Sequence, residues 1–472
     1  MAVASRQELV ERVWARDASV WTGAGEEKWL GWLDEPKRMQ ERIGELRTFA
    51  DEARTRFETF VLLGMGGSSL APEVLKRTFG VQGLHVLDTT HPAMLRHAAE
   101  FLDLQKTMFI VSSKSGTTLE TRSHFDYYWD QAGANGEQFV AVTDPGSELE
   151  RVAHERGMRV FAGEPTIGGR YSALSPFGLV PAALMGLDLE RLLDRAVQMA
   201  EACRAETSPG LELGLQLGAG WQEGRDKVCI PETEGRFGLW AEQLIAESTG
   251  KQGKGLVPAP GEGAEGPDRQ AAEVQLADAY DIGAEFFRWE FAVAIAGSIL
   301  EINPFDQPNV QAAKDKTKEV LASGEDPRLE SEGSLDELLE TAQPPNYIAF
   351  QAFIDPVRER ELEPLLARAR ETGCVVTHGL GPRYLHSTGQ LHKGGPPSGL
   401  FLQLTADPSR DLPIPGWDES FGTLIAAQAL GDLESLQRRG RRVVRLHLDE
   451  LESGLERLET MVGDALPALV RG

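Results

Sequence analysis

The 472-residue sequence predicts an α/β protein with mainly parallel sheets and helices on both faces. Two observations carry this. Short apolar runs alternate with longer amphipathic stretches along most of the chain. Several of those runs end in loops rich in Gly, Ser and Thr before the next helical stretch, as strand–loop–helix junctions do.

Residues 1–57 read as a helical segment, with Leu9, Val10, Val13 and Trp14 at helical spacing. A first α/β unit is expected over 58–215, with strands at Phe60–Leu63, Leu84–Leu87, Met108–Ser112, Phe139–Val142 and Met158–Phe161. The stretch LAPEVLKRTF reads as a helix, and a further helical stretch lies near 175–225. A second unit over 216–325 holds a strand at Lys227–Ile230, a helix at Leu239–Ser248 and an extended piece at Gly255–Pro258. It ends in helices at Glu285–Glu301 and Asn309–Ala322. The acidic segment 323–345, rich in Gly, Ser and Pro, reads as a linker or exposed excursion. Over 340–472 the alternation resumes, with strands at Tyr347–Ile354, Cys374–Thr377, Leu400–Leu404 and Val443–Leu448. Helical patterns at 357–372 and 420–439 separate them. This last region is expected to complete or extend the sheet of the second unit.

The net charge of -25 argues against binding to nucleic acid or to anionic membranes, which would repel it. An anionic small molecule remains allowed if the site is locally positive. Cys203, Cys229 and Cys374 are far apart and form no C-x-x-C pair, so neither a disulfide framework nor a zinc site is expected. A reducing, cytoplasmic compartment fits best. The N-terminal stretch mixes both charge signs and does not read as a signal peptide. The run FAVAIAGSIL is too short to span a bilayer.

Two junctions in the first unit suit an anion. The first is Gly64-Met65-Gly66-Gly67-Ser68-Ser69, where glycines let backbone approach a ligand and the next helix aims free N–H groups at the loop. Such a cluster is also read as a tight turn, or as part of a dinucleotide fingerprint, with Asp88 ending the next strand where a ribose-binding acid would lie. Against the latter, Ser69 replaces the third glycine. The second junction, Ser112-Ser113-Lys114-Ser115-Gly116-Thr117-Thr118, gathers hydroxyls, an ammonium and helix-start amides. A phosphate needs that convergence of donors and charge. A helix N-cap at Thr117 or Thr118 needs only one hydroxyl. No Walker loop occurs, which disfavours an ATPase.

With these loops in view, the chain resembles the glucose-6-phosphate isomerase family, whose fold is two sugar-isomerase (SIS, flavodoxin-like) α/β subdomains. GMGGSSLAP and SKSGTTLET are similar to its two phosphate-loop motifs, GGRYSALSPFGL at 168–179 to its G-G-R-[FY]-S segment, IAESTGK at 245–251 to its E-S-x-G-K segment, and NPFDQPNVQAAK at 303–314 to its Q-x-G-V-E-x-x-K segment. The more particular resemblance, carried by YLHSTGQLHKGG, is to the isomerase portion of bacterial transaldolase/glucose-6-phosphate isomerase fusions. The resemblance implies interconversion of an aldose and a ketose phosphate through a cis-enediol, with no metal or nucleotide cofactor. A small sugar phosphate is the implied partner, and a homodimer is among the assemblies allowed. It implies phosphate binding by Ser113, Lys114, Ser115, Thr117 and Thr118, with Gly66, Gly67 and Ser68 nearby. Glu247 takes the place of the catalytic base, Arg170 that of the enediolate stabiliser, and Gln307 and Lys314 lie at the substrate, Lys314 in binding or ring opening.

The chemistry agrees with those roles. One carboxylate can carry a proton between neighbouring carbons, and a fixed guanidinium can hold the developing oxyanion. Read without the resemblance, Glu247 is a helix-end glutamate, Arg170 a structural ion pair and Lys314 a solvated charge. One departure stands out. The family's ring-opening histidine is expected at position 271, where this chain has Ala271. His386 or His392 is the substitute expected, folding back to the site or reaching a neighbouring subunit. Two other readings stay open: a non-catalytic sugar-phosphate sensor on the same fold, and a nicotinamide oxidoreductase using GMGGSS and Asp88.

Overall fold

A computed structural model of the chain describes residues 5–309, 311–322 and 327–470. Val310, within the expected Asn309–Ala322 helix, and residues 323–326 of the expected excursion lie outside the described residues.

Among the described residues, twelve strands form three parallel sheets. The first sheet has the order β2-β1-β3-β4-β5, with β1 at Thr59–Gly64, β2 at Leu84–Leu87, β3 at Thr107–Ser112, β4 at Phe139–Thr143 and β5 at Arg159–Ala162. Side-chain alternation explains its place in the molecule. Phe60, Leu62, Met108, Ile110, Val140 and Val142 join one core cluster. Their neighbours Val61, Leu63, Phe109, Val111, Phe139 and Ala141 join another on the opposite face. A strand buried on both faces must be apolar throughout, which is why these runs were legible. The order 2-1-3-4-5 reverses direction between β1 and β3, and ligands of such sheets bind at that switch point. Gly64 is the register partner of Ser112, so the two anion-type loops leave adjacent strands at one level.

β6 at Lys227–Ile230, β7 at Val257–Pro260 and β8 at Arg269–Ala271 make a small sheet of order β7-β6-β8. β9 at Tyr347–Phe353, β10 at Val375–Leu380, β11 at Gly399–Thr405 and β12 at Arg442–His447 make another of order β10-β9-β11-β12. The last region therefore carries a sheet of its own and does not extend the second unit's ladder. β7 is the edge that neighbours β10, and its Pro258 and Pro260 lack the N–H groups a ladder needs. The two sheets instead share packing. Cys229, Val257 and Ala259 cluster with Tyr347, Ala349, Val375 and Phe401.

The expected excursion is partly core. Residues Leu335–Leu339 form a short helix whose Leu335, Leu338 and Leu339 are buried under the last sheet. The leucine spacing marks a helical face that the acidic, Gly-rich composition masked. Among the described residues no helix is long and apolar enough to cross a membrane, and no group of His, Cys, Asp or Glu is placed to hold a metal.

The Ile282–Ile299 helix is buried nearly all round and carries Glu290 into the core, where Oε1 has no hydrogen-bond partner among the described residues. Burial, then the nearby Glu35 carboxyl, raises the Glu290 pKa well above the usual range. Burial raises Glu35 to about 7, against the Arg38 charge. A folded-state pKa above the unfolded one makes the folded protein hold protons that the unfolded chain has released. The contribution of these two carboxyls to stability is therefore full below about pH 4.5 and is lost as pH rises through the folded values. The melting temperature should fall between pH 5 and pH 8 by at least a few degrees. Glu290→Gln should remove much of that fall. An unchanged pH slope in the variant would refute the assignment.

Candidate active site

The Gly238–Thr249 helix places Glu247 at the centre of a buried polar cluster. The facing wall is the loop Gly168–Ser172, whose Gly169–Tyr171 turn carries Arg170. Arg170 and Glu247 are 2% and 7% exposed, and Arg170 Nη1 approaches Glu247 Oε2 at 3.4 Å. The rest of the guanidinium is held in a fixed fork. Nε donates to Ser248 Oγ at 2.8 Å, and Nη2 donates to the carbonyls of Pro304 and Asp306 at 2.7 and 2.9 Å. Lys251 braces the same turn, its Nζ donating to the Asn303 and Asp306 carbonyls and to Asp306 Oδ1.

Burial raises the Glu247 pKa above that of an ordinary carboxyl, opposed by the Arg170 charge, a Gln243 hydrogen bond and the charges of His386 and Lys314. Those last two perturbers come from distant parts of the chain. His386 ends the Arg383–His386 turn after β10, and Lys314 is an exposed residue of the Gln311–Ala322 helix.

His386 is anchored from both ends. Its carbonyl accepts from Gln243 Nε2 at 2.8 Å. Its Nε2 meets Glu120 Oε1 at 2.8 Å. Burial alone would raise Glu120, but the His386 charge and hydrogen bond, its own backbone N–H and the Lys314 charge hold it at about 2. An ionised carboxylate only accepts, so His386 Nε2 carries the proton and donates, leaving Nδ1 outside this bond. Gln428 Nε2 also donates to Glu120 Oε1 at 2.7 Å, and Gln428 is held by Thr90 Oγ1 at 2.8 Å.

Glu120 begins the Leu119–Gln131 helix that follows the hydroxyl-rich loop. Thr118 is its N-cap residue, yet makes no side-chain cap bond. Its hydroxyl accepts from Ser113 Oγ at 3.3 Å, Gly116 N–H donates to Ser113 Oγ at 3.2 Å, and Ser115 and Thr117 hydroxyls lie 3.0 Å apart. Ser115 and Thr117 are exposed. The loop thus presents hydroxyls and the first helical N–H groups together.

Several expected residues fall elsewhere. The Lys114 ammonium is committed to the Asp144 carboxylate and to the Glu164 carbonyl, so the loop's charge is spent on its own scaffold. Gly66 and Gly67 are packing glycines. A Cβ on Gly67 would lie 2.0 Å from the Gly169 carbonyl oxygen, and one on Gly66, at φ +54°, 2.6 Å from that of His386. Ser68 is buried beside them, and its N–H donates to Met65 O. Their geometry supports a scaffold that clamps the Arg170 and His386 turns, and gives no sign of an open cradle. Gln307 is exposed, next to the Asp306 carbonyl that holds Arg170. His392 is a core residue, hydrogen-bonded to Gln351 and packed against Tyr384 and Phe401. Burial drives its pKa well below the usual range. Ala271 is exposed at the end of edge strand β8. Asp88 is buried in a two-bond pair with Arg383, which removes it as a ribose ligand.

Glu120, Gln243 and Gln428 were not singled out from the sequence. Glu120 stands inside the SKSGTTLET segment, so its signal was present; nothing local marks the two glutamines.

Residues 32–213 match the family model described as phosphoglucose isomerase. Over those residues the chain is similar to the phosphoglucose isomerases. Relatives of this family include the glucose-6-phosphate isomerase of Thermus thermophilus, 35% identical over 263 residues, which are 52% of this chain and 62% of that protein. Another is that of Carboxydothermus hydrogenoformans, 32% identical over 248 residues, covering 47% and 53%. The chain thus spans about half to three-fifths of the length of these curated relatives. A crystal structure of a glucose-6-phosphate isomerase from Chlamydia trachomatis shares the fold, with a TM-score of 0.52 at 21% identity, over 67% of this chain and 78% of that one. The match to the phosphoglucose isomerase model covers the Gly66–Ser68, Ser113–Thr118 and Arg170 segments, and ends before Glu247 and His386.

Proposed function

We propose that the chain interconverts glucose 6-phosphate and fructose 6-phosphate through a cis-enediolate. One observation carries the reading: a buried carboxylate, Glu247, faces a fixed guanidinium, Arg170, beside the His386–Glu120 pair. Aldose–ketose isomerisation needs a base that moves one proton between C1 and C2, and Glu247 takes that role. Its raised pKa makes it a stronger base once ionised, and Arg170 stabilises the negative oxygen that forms as the proton leaves. The sugar phosphate sits on the hydroxyls and helix-start amides of Ser113–Thr118, close in the chain to Glu120. Lys314 adds positive charge across that space, offsetting the loss of Lys114 to Asp144, and Gln307 borders it.

Ring opening falls to His386. Glu120 keeps its Nε2 protonated and fixes the ring, so Nδ1 faces the exchange of a proton with the ring oxygen or the anomeric hydroxyl. His386→Ala should slow the cyclic substrate on the order of 10²-fold and spare open-chain substrate. Equal losses on both forms would refute the role.

A coupled assay of fructose 6-phosphate to glucose 6-phosphate, with mannose 6-phosphate alongside, tests the proposal. Turnover of the first pair is expected. A folded protein that binds the sugar phosphate without turnover would favour the sensor reading.

A further inference from the structure

Behind the turn that carries His386 lies a separate cavity of about 80 Å³. It opens at the C-terminal end of β10, between the Gly238–Thr249 helix and the last sheet, where α/β folds place ligands. Its walls differ from those of the Glu247 cluster. Glu242 shares the helix with Gln243 and Glu247 but turns to the other side, where it accepts a hydrogen bond from Ser387 Oγ at 3.3 Å. Opposite it stand Thr377, His378 and Arg383.

The lining is polar but almost fully compensated. Arg383 is paired in two bonds with Asp88, Arg236 with Glu232 at 3.3 Å, and His378 Nε2 with Glu359 Oε1 at 3.3 Å. Glu242 makes no ion pair among the described residues, and burial raises its pKa to about 7 despite the His378, Arg383 and Arg236 charges. Arg370, also in the lining, pairs with Glu262 and Glu363, so among the described residues every arginine of the lining is ion-paired and the cavity suits a neutral ligand better than a phosphate dianion. Among the described residues, the second Glu242 oxygen, Arg383 Nη1, His378 Nδ1 and the Thr377 hydroxyl take no part in these contacts. A hydroxyl both donates and accepts, so vicinal hydroxyls match such half-used pairs. At 10–15 Å³ of accessible space for each water-sized group, the cavity holds about six such groups. That is the size of a three- or four-carbon polyol, while Leu239, Val376 and Pro260 supply apolar walls for its carbons.

We propose that this cavity is a second ligand site for a neutral three- or four-carbon polyhydroxy compound, held by Glu242, Thr377, His378 and Arg383. The site is independent of the isomerase reading, and its test reads binding rather than turnover. Saturation-transfer NMR of the full chain with erythritol and with glycerol is the measurement. Transfer is expected in the wild type and should persist with saturating fructose 6-phosphate. Glu242→Gln should weaken it about tenfold, through loss of a charge-assisted acceptor. Leu239→Phe should fill the space and abolish it. Where Leu239→Phe does not fold, Glu242→Gln decides. Absence of transfer in the wild type, displacement by fructose 6-phosphate, or transfer undiminished in Glu242→Gln would overturn the proposal.

Discussion

Glu247→Gln is expected to lower kcat for fructose 6-phosphate on the order of 10³-fold while leaving the fold intact. Amide and carboxylate have nearly the same shape, so the Arg170 fork keeps its Ser248, Pro304 and Asp306 acceptors. What disappears is the carboxylate proposed to carry the proton between C1 and C2. Melting should fall by less than for loss of the arginine, because the guanidinium loses its buried counter-charge but keeps its Ser248, Pro304 and Asp306 acceptors. A variant with more than about a tenth of wild-type kcat would remove Glu247 from the role of base, since acid–base catalysis is worth about 10²–10⁴.

Arg170→Met should cost both activity and stability. Arg170 is the largest charge opposing the burial of Glu247. Without it the carboxylate is buried without its cation, and the Pro304 and Asp306 carbonyls lose a shared donor. Breaking a buried pair in this way costs about 3–5 kcal/mol. The pH profile carries the second signature. Activity needs ionised Glu247, so it rises with pH through the Glu247 pKa, already above the ordinary carboxyl value. Removing the guanidinium raises that pKa further, and the acid limb should move to higher pH in whatever activity remains. Arg170→Lys should keep more of the limb's position than of the rate, because an ammonium restores charge but not the fork. A melting temperature and profile like the wild type would contradict the account.

The strands of the first sheet were legible because burial on both faces makes them apolar from end to end, as in Met108–Val111. The edge strand Arg269–Ala271 was not. Its central Gln270 is buried by bonding to the carbonyls of Leu217 and Arg225, a solution that leaves no hydrophobic trace. The separation of the last sheet from the second was hidden for a similar reason, since it turns on two prolines in one short edge strand. At the candidate site, the family resemblance pointed to Glu247 and Arg170, which the fold brings within 3.4 Å of each other. It could not choose between His386 and His392, which stand six positions apart in one polar stretch. The choice is tertiary: one ring meets Glu120, the other Gln351. Lys114 shows the converse. Its place in the loop suggested a ligand cation, but only the fold reveals Asp144 and the Glu164 carbonyl around its ammonium.

The proton transfer itself can be followed by NMR of fructose 6-phosphate in deuterium oxide. The wild-type protein should place solvent deuterium at C1 of the ketose and C2 of the aldose, and Glu247→Gln should place almost none. Deuterium entering at the wild-type rate in Glu247→Gln, or none entering while the wild type turns over by hydride shift, would contradict a carboxylate shuttle at this site.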